Sequence, residues 1–218
     1  MSYQALIFDL DGTLVDSLTD LANAGNRILE DLGMPVHPES AYRTFVGDGL
    51  NTLIYRILPK QSRKSSLIND AVDRFRKDYS TRWHENTRPY DGICQTLDKL
   101  VAAKMPIAIL SNKPHDFTRM CVEKLLPHWK FRAVLGQRPD VPKKPDAAAA
   151  LEIAEMLKLP PSHILFVGDS SVDMQTAVNA GMDAAGVLWG FRTAEELRSN
   201  GAKYLLEHPI ELVEIVRP

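Results

Sequence analysis

The chain reads as an α/β protein: a parallel-sheet core with helices on both faces, interrupted near its start by an all-helical insertion. Three observations predict this. Short apolar runs recur at Ala5–Phe8, Pro106–Leu110 and His163–Val167, each bounded by polar or turn residues, as expected of strands buried on both faces. From Pro89 onward such runs alternate with helical periodicity, the pattern of strand–helix–strand units. Between the first run and Pro89 there is helical periodicity and almost no strand signal.

Taken in order, Ala5-Leu6-Ile7-Phe8 is the first strand. An apolar stripe of Leu18, Leu21, Ala22, Ala24, Ile28, Leu29 and Leu32 follows, closed by Gly33 and Pro35, so a helix is expected there. Ser17 and Asp20 have the spacing of a capping box at its start. Further helices are expected near Leu50–Leu58 and Ser66–Trp83. These make residues 17–88 a helical cap, with residues 1–16 and 89–218 forming the core. In the core, helix is expected at Ile93–Ala103, strand at Pro106–Leu110 and helix at Asp116–Leu126. Next come strand at Phe131–Leu135, helix at Ala147–Leu157 and strand at His163–Val167. Helix at Val172–Ala180 is stopped by Gly181. Strand at Ala184–Leu188, helix at Ala194–Asn200 and a last strand at Tyr204–Leu206 complete the pattern.

Bulk properties narrow the function. The chain has 218 residues, 44% of them hydrophobic, and a formal net charge of −2, which suits one or two compact domains. That balance gives no electrostatic footprint for a nucleic acid polymer. No apolar run approaches membrane-spanning length, and no charged-then-apolar leader stands at the N-terminus, so a cytoplasmic protein is expected. Cys94 and Cys121 lie in apolar helical patterns and read as small core residues. The six histidines are scattered singly; His115 stands close to Ser111-Asn112 but reads as a helix-start residue.

The chemistry is expected at strand ends, where open α/β sheets bind ligands. The first strand runs into Asp9-Leu10-Asp11-Gly12-Thr13. Asp9 can act as a covalent nucleophile and Asp11 can move a proton. Asp and Gly are also ordinary turn chemistry. A calcium loop is excluded because its sixth position, which needs glycine, is Leu14. Ser111-Asn112 follows the next strand and could donate hydrogen bonds to phosphoryl oxygens, or cap the following helix. In Lys143-Lys144-Pro145, Lys144 is the preferred anion partner because Pro145 fixes the backbone beside it. After His163–Val167 come Gly168-Asp169-Ser170 and then Asp173. Asp169 could hold magnesium together with Asp9, while Asp173 could either bind metal or cap the helix behind it.

Each later motif is weak alone, but together they occur in order at successive strand ends. Through Asp9–Thr13, Ser111-Asn112, Lys144-Pro145 and Gly168-Asp169-Ser170 with Asp173, the chain resembles the haloacid dehalogenase superfamily of phosphohydrolases. It is most similar to the phosphoglycolate phosphatases, through Phe45–Leu50 in the cap, Ser111–Pro114, Asn179-Ala180-Gly181 and Val187–Phe191. The resemblance implies a Rossmann-like core and a Mg2+-dependent phosphatase that hydrolyses a small phosphorylated metabolite through an aspartyl-phosphate. In that scheme Asp9 is the nucleophile and Asp11 the proton donor and acceptor. Gly12, Thr13, Ser111, Asn112 and Lys144 hold phosphate, and Asp9, Asp11, Asp169 and Asp173 serve the metal. Gly47, Asp48 and Gly49 are the expected specificity loop. Asp48 stands where relatives often carry a neutral residue, so its charge must turn away from an anionic substrate or meet a cation. The basic residues from Arg56 to Lys77 read mostly as the solvated face of the cap helices, although one of them, not singled out, could reach a second anionic group of the substrate. A monomer or homodimer is expected. A sugar-phosphate mutase, a pyrophosphatase or nucleotidase, and a non-catalytic binding module on the same fold are the rival readings. A phosphonate-cleaving relative would lack Asp11.

Overall fold

The computed structural model describes residues 3–216. Six strands form one parallel sheet: β1 (Ala5–Phe8), β4 (Ile107–Pro114), β5 (Val134–Gln137), β6 (Ile164–Gly168), β7 (Asp183–Val187) and β8 (Tyr204–Leu206). Their spatial order is β5-β4-β1-β6-β7-β8. The chain leaves central β1 toward β4 on one side and later returns to β6 on the other. The site therefore lies at the switch point of the sheet, where a crevice opens at the strands' carboxyl ends.

The strand period of two sorts side chains onto two faces. Leu6 and Phe8 of β1, with Ile107, Ile109, Leu165 and Val167, belong to one buried cluster. Ala5 and Ile7, with Ala108, Leu110, Ile164 and Phe166, belong to the other. The first face is covered by α5 (Ile93–Ala102), α6 (His115–Leu125) and α10 (Glu211–Ile215), through residues such as Leu97, Phe117 and Leu212. The second is covered by α7 (Ala148–Leu157), α8 (Ser171–Ala180) and α9 (Ala194–Ser199), through Ile153, Met174 and Leu197. The expected sheet with helices on both faces is what the chain forms.

Between β1 and α5 lie α1 (Leu18–Asp31), α2 (Glu39–Phe45), α3 (Leu50–Ile57) and α4 (Ser65–Arg82). Their apolar faces meet through Leu21, Ile28, Tyr42, Ile54, Phe75 and Tyr79, and this packing runs on into the first sheet face. Gly25 in α1 is where Tyr42 comes closest: a Cβ there would stand 2.5 Å from the Tyr42 hydroxyl. Two short segments, β2 (Val15–Asp16) and β3 (Arg88–Pro89), pair antiparallel where the chain enters and leaves the four helices.

Several local expectations are corrected. Ser17 and Asp20 form no capping box, because tertiary partners claim both side chains. Ser17 Oγ donates to Asp11 at 2.6 Å, and Asp20 accepts from the backbone N–H groups of Asn86 and Thr87 and from the Thr87 hydroxyl. The fifth strand starts at Val134 rather than Phe131, because its pairing begins opposite Ile109. Cys94 is exposed and only Cys121 is buried. α2, α10 and the β2–β3 pair have no counterpart in the sequence reading. The described residues include no helix long and apolar enough to cross a membrane.

Candidate active site

Asp9 is the residue after β1, Asp169 the residue after β6, and Ser111 lies within β4. In-register pairing sets Phe8 beside Ile109 on one side and Val167 on the other, so these three positions meet at one end of the sheet. Lys144 enters from the loop before α7. Its ammonium lies 2.9 Å from Asp9 Oδ1, 2.6 Å from Asp173 Oδ1 and 3.0 Å from the Leu110 carbonyl. The loop is pinned from two sides. Asn112 accepts from the Lys144 N–H and donates to its carbonyl, and Asn179 donates to the Pro145 carbonyl. Lys143 instead points outward, onto the Asp48 carbonyl and the Thr52 hydroxyl.

Of the two roles the sequence offered Asp173, the structure shows helix capping, and it adds a contact with Lys144. Oδ2 accepts from the Ser170 N–H and hydroxyl, completing the capping box of α8, while Oδ1 faces Lys144. Asp169 accepts from the Phe191 N–H at 2.8 Å and from the Thr13 hydroxyl at 3.4 Å. Asp9, Asp169 and Asp173 bring carboxylate oxygens within 4.8 Å of one another. Glycines permit this crowding. A Cβ on Gly12, which has φ +88°, would stand 2.3 Å from Asp169, and one on Gly168 would stand 2.3 Å from Asp173.

Three buried carboxylates thus face one buried ammonium. Burial pushes the Asp9 carboxyl up to about 7, against the pull of Lys144, and the neighbouring Asp173 and Asp11 charges add to the rise. Burial, then Asp173 and Asp9, hold Asp169 well above the usual carboxylate range. Burial alone would lower the Lys144 ammonium, yet Asp173 and Asp9 outweigh it and raise it. Asp9 Oδ1 is close enough to Lys144 for charge pairing but has no hydrogen-bond partner among the described residues. Three buried carboxylates against one ammonium leave an excess of negative charge that a divalent cation would compensate.

The remaining expected residues are differently engaged. Gly12 and Thr13 donate their backbone N–H groups within the turn, to Val15 and Leu10 carbonyls, so these amides are not open to a ligand. Both donors of the Asn112 carboxamide are used, on the Gly47 and Lys144 carbonyls, so it joins the Gly47 loop to the Lys144 loop. The Ser111 hydroxyl only accepts, from the Lys113 N–H, which leaves its own hydrogen to give. Asp48 pairs with Arg56 at 2.5 Å and lies outside the cavity beside Asp9, which Gly47 and Gly49 do line. His115 begins α6 and accepts from the Gly136 N–H.

Asp11 turns away from the three-carboxylate cluster. Ser17 donates to its Oδ1, and the buried Lys113 ammonium reaches its two oxygens at 3.0 and 3.1 Å. Lys113 also donates to the Tyr79 phenol at 2.9 Å. Sequence reasoning missed this cation; its place directly after Ser111-Asn112 was the available signal. Asp9, Asp11, Lys113 and Tyr79 line a cavity of about 50 Å³, together with Ser111, Asn112 and apolar residues of the inserted helices such as Leu21, Leu53 and Phe75. None of the basic residues from Arg56 to Lys77 lines it.

Residues 6–187 match the family model for haloacid dehalogenase-like hydrolases. The chain belongs to that family. Among curated relatives, a phosphoglycolate phosphatase of Psychrobacter arcticus is 35% identical over 204 residues, covering 91% of this chain and 89% of its own. One from Vibrio parahaemolyticus is 32% identical, covering 97% and 95%. The structure of a predicted phosphoglycolate phosphatase of Haemophilus somnus superposes with a TM-score of 0.92 at 27% identity, over 100% of this chain and 99% of that one. A haloacid dehalogenase-like hydrolase of Streptococcus pneumoniae shares the fold, with a TM-score of 0.88 over 99% of each chain at 24% identity.

Proposed function

We propose that this chain, a hydrolase of phosphoric monoesters by its family and relatives, removes phosphate from 2-phosphoglycolate or a similar small phosphorylated acid, with Mg2+. The observation that carries the reading is Asp9. It is a buried carboxylate at the end of β1, with Lys144 on one oxygen and a small cavity beside it.

Asp9 attacks the phosphorus and becomes an aspartyl-phosphate. Lys144 and the Ser111 hydroxyl hold the transferring oxygens, which is most of what phosphoryl transfer requires. Asp173 keeps the Lys144 ammonium aimed between itself and Asp9. Asp11 gives its proton to the leaving alkoxide and later takes one from the attacking water. Asp9 and Asp169 would hold Mg2+, with Asp173 beside them. Bound there, the cation would neutralise charge on the transferring phosphoryl group. Both Asp173 oxygens already have partners, so it serves the site mainly through Lys144. Residues 17–88 act as a cap that excludes water during the first step. Arg43 on the Gly190 carbonyl, Arg192 on the Val46 carbonyl and Asn112 on the Gly47 carbonyl fasten it to the core.

The test is phosphate release from a panel of phosphoglycolate, sugar phosphates, nucleotides and pyrophosphate, with and without Mg2+. Mg2+-dependent release with a strong preference for phosphoglycolate is expected. Preference for a nucleotide or pyrophosphate would overturn the substrate assignment. A product with its phosphate moved instead of released would mean a mutase, and no release from any member would mean a binding module.

A further inference from the structure

We infer that Lys113 is the specificity-determining residue of this site: its ammonium recognises the carboxylate of the substrate's leaving group. The inference rests on the phosphatase reading above and names the group that would select a short phosphorylated acid.

The cavity in front of Asp9 is small and mostly apolar, so a carboxylate entering it leaves water and needs a charged partner. Lys113 is the cation that lines it. The other nearby cations are engaged elsewhere: Arg56 on Asp48, Arg76 on Asp116, Arg43 on the Gly190 carbonyl, Lys143 on the Asp48 carbonyl, and Lys144 on Asp9 and Asp173. Beside Lys113 stands the Tyr79 phenol, which accepts from the ammonium and whose own hydrogen has no acceptor among the described residues. An ammonium and a free hydroxyl side by side can both donate to one carboxylate.

In this structure Asp11 occupies that place, held by the ammonium on both oxygens. An incoming carboxylate offers Lys113 an equivalent partner. The exchange leaves the buried ammonium paired, which is the condition for burying it at modest cost. It also frees Asp11, still tethered by Ser17, to take up a proton from water and turn toward the leaving oxygen, to which it gives that proton. A neutral leaving group offers no such exchange, so Asp11 stays on Lys113. Recognition of the carboxylate and placement of Asp11 are thereby coupled through one side chain.

The experiment compares phosphoglycolate with its carboxamide isostere 2-phosphoglycolamide, which lacks only the carboxylate charge, in the wild type, Lys113→Met and Lys113→Gln. The glutamine keeps a donor for Asp11 and Tyr79, so it covers the case in which the methionine fails to fold; both are checked by circular dichroism. The readout is the ratio of kcat/KM for acid over amide, which a merely structural role would lower for neither substrate selectively. The wild type is expected to favour the acid, and either folded variant to lose about 30-fold or more of that preference, chiefly through a raised KM for the acid. A folded variant that hydrolyses both substrates more slowly at an unchanged ratio overturns the role of Lys113 alone. A wild type that shows no preference for the acid overturns the substrate reading and this inference with it.

Discussion

The Lys144 ammonium lies between Asp173, at 2.6 Å, and Asp9, at 2.9 Å, with all three side chains buried. One lysine therefore serves two carboxylates, one just after β1 and one in the first turn of α8, and a third, Asp169, adds its charge to the same place. Removing the ammonium leaves these charges uncompensated. Losing one partner of a buried ion pair costs about 3–5 kcal/mol. Lys144→Met is expected to lower Tm by on the order of 10 °C for a chain of this size. Phosphate release should fall by about 100-fold or more. Thermal denaturation beside an activity assay checks both; an unchanged Tm would mean the charges are compensated by something other than Lys144.

Magnesium should act on stability in a pH-dependent way. Burial lifts Asp9 from 3.8 to about 7, so the folded chain holds this proton more tightly than the unfolded chain does. Such a raised acid makes folding less favourable as pH climbs from about 4 to 7, where the ionised carboxylate is forced to stay buried. A cation that needs the ionised form relieves that cost most above pH 7. Saturating Mg2+ should therefore raise Tm by about 5–10 °C at pH 8 and by clearly less at pH 5. Equal shifts at the two pH values would contradict Asp9 as a ligand.

Asn112 joins three segments through one carboxamide, accepting from the Lys144 N–H and donating to the Lys144 and Gly47 carbonyls. Asn112→Ala leaves buried groups without partners, at about 1–3 kcal/mol. Asn112→Asp is expected to be worse, since it turns a negative oxygen toward two carbonyls. The order of Tm should be wild type, then alanine, then aspartate. An aspartate variant as stable as the wild type would show that the amide orientation is not what holds this junction.

How much of this was legible in the sequence depended on where each residue finds its partners. The parallel sheet was legible because β1, β4 and β6 are buried on both faces and so appear as unbroken apolar runs. α2 was not, since it buries only Tyr42 and leaves no stripe to count. Asp9, Ser111, Lys144 and Asp169 were readable as strand-end chemistry. Lys113 was not, because its meaning comes from Asp11 and Tyr79, which are far away in the chain. Ser17 and Asp20 misled because a local spacing suggested a cap, while Asp11, on the preceding turn, and Thr87, far along the chain, supplied the partners. The charge of Asp48 had to turn from an anion or meet a cation, and Arg56 is that cation.

Asp48 consequently has a limited task. Its pair with Arg56 is partly exposed, and such pairs contribute about 0–1 kcal/mol. Asp48→Asn should keep kcat/KM for phosphoglycolate within about two-fold, with little change in Tm. A ten-fold change in substrate preference would place Asp48 in contact with the substrate after all.

The central claim is that Asp9 carries the phosphoryl group. The most direct measurement is mass spectrometry of protein quenched in acid during turnover of phosphoglycolate with Mg2+, followed by peptide mapping. The account predicts one added phosphoryl group on Asp9 in the wild type, and neither adduct nor phosphate release in Asp9→Asn. An adduct on a different residue, or undiminished phosphate release by Asp9→Asn, would contradict it.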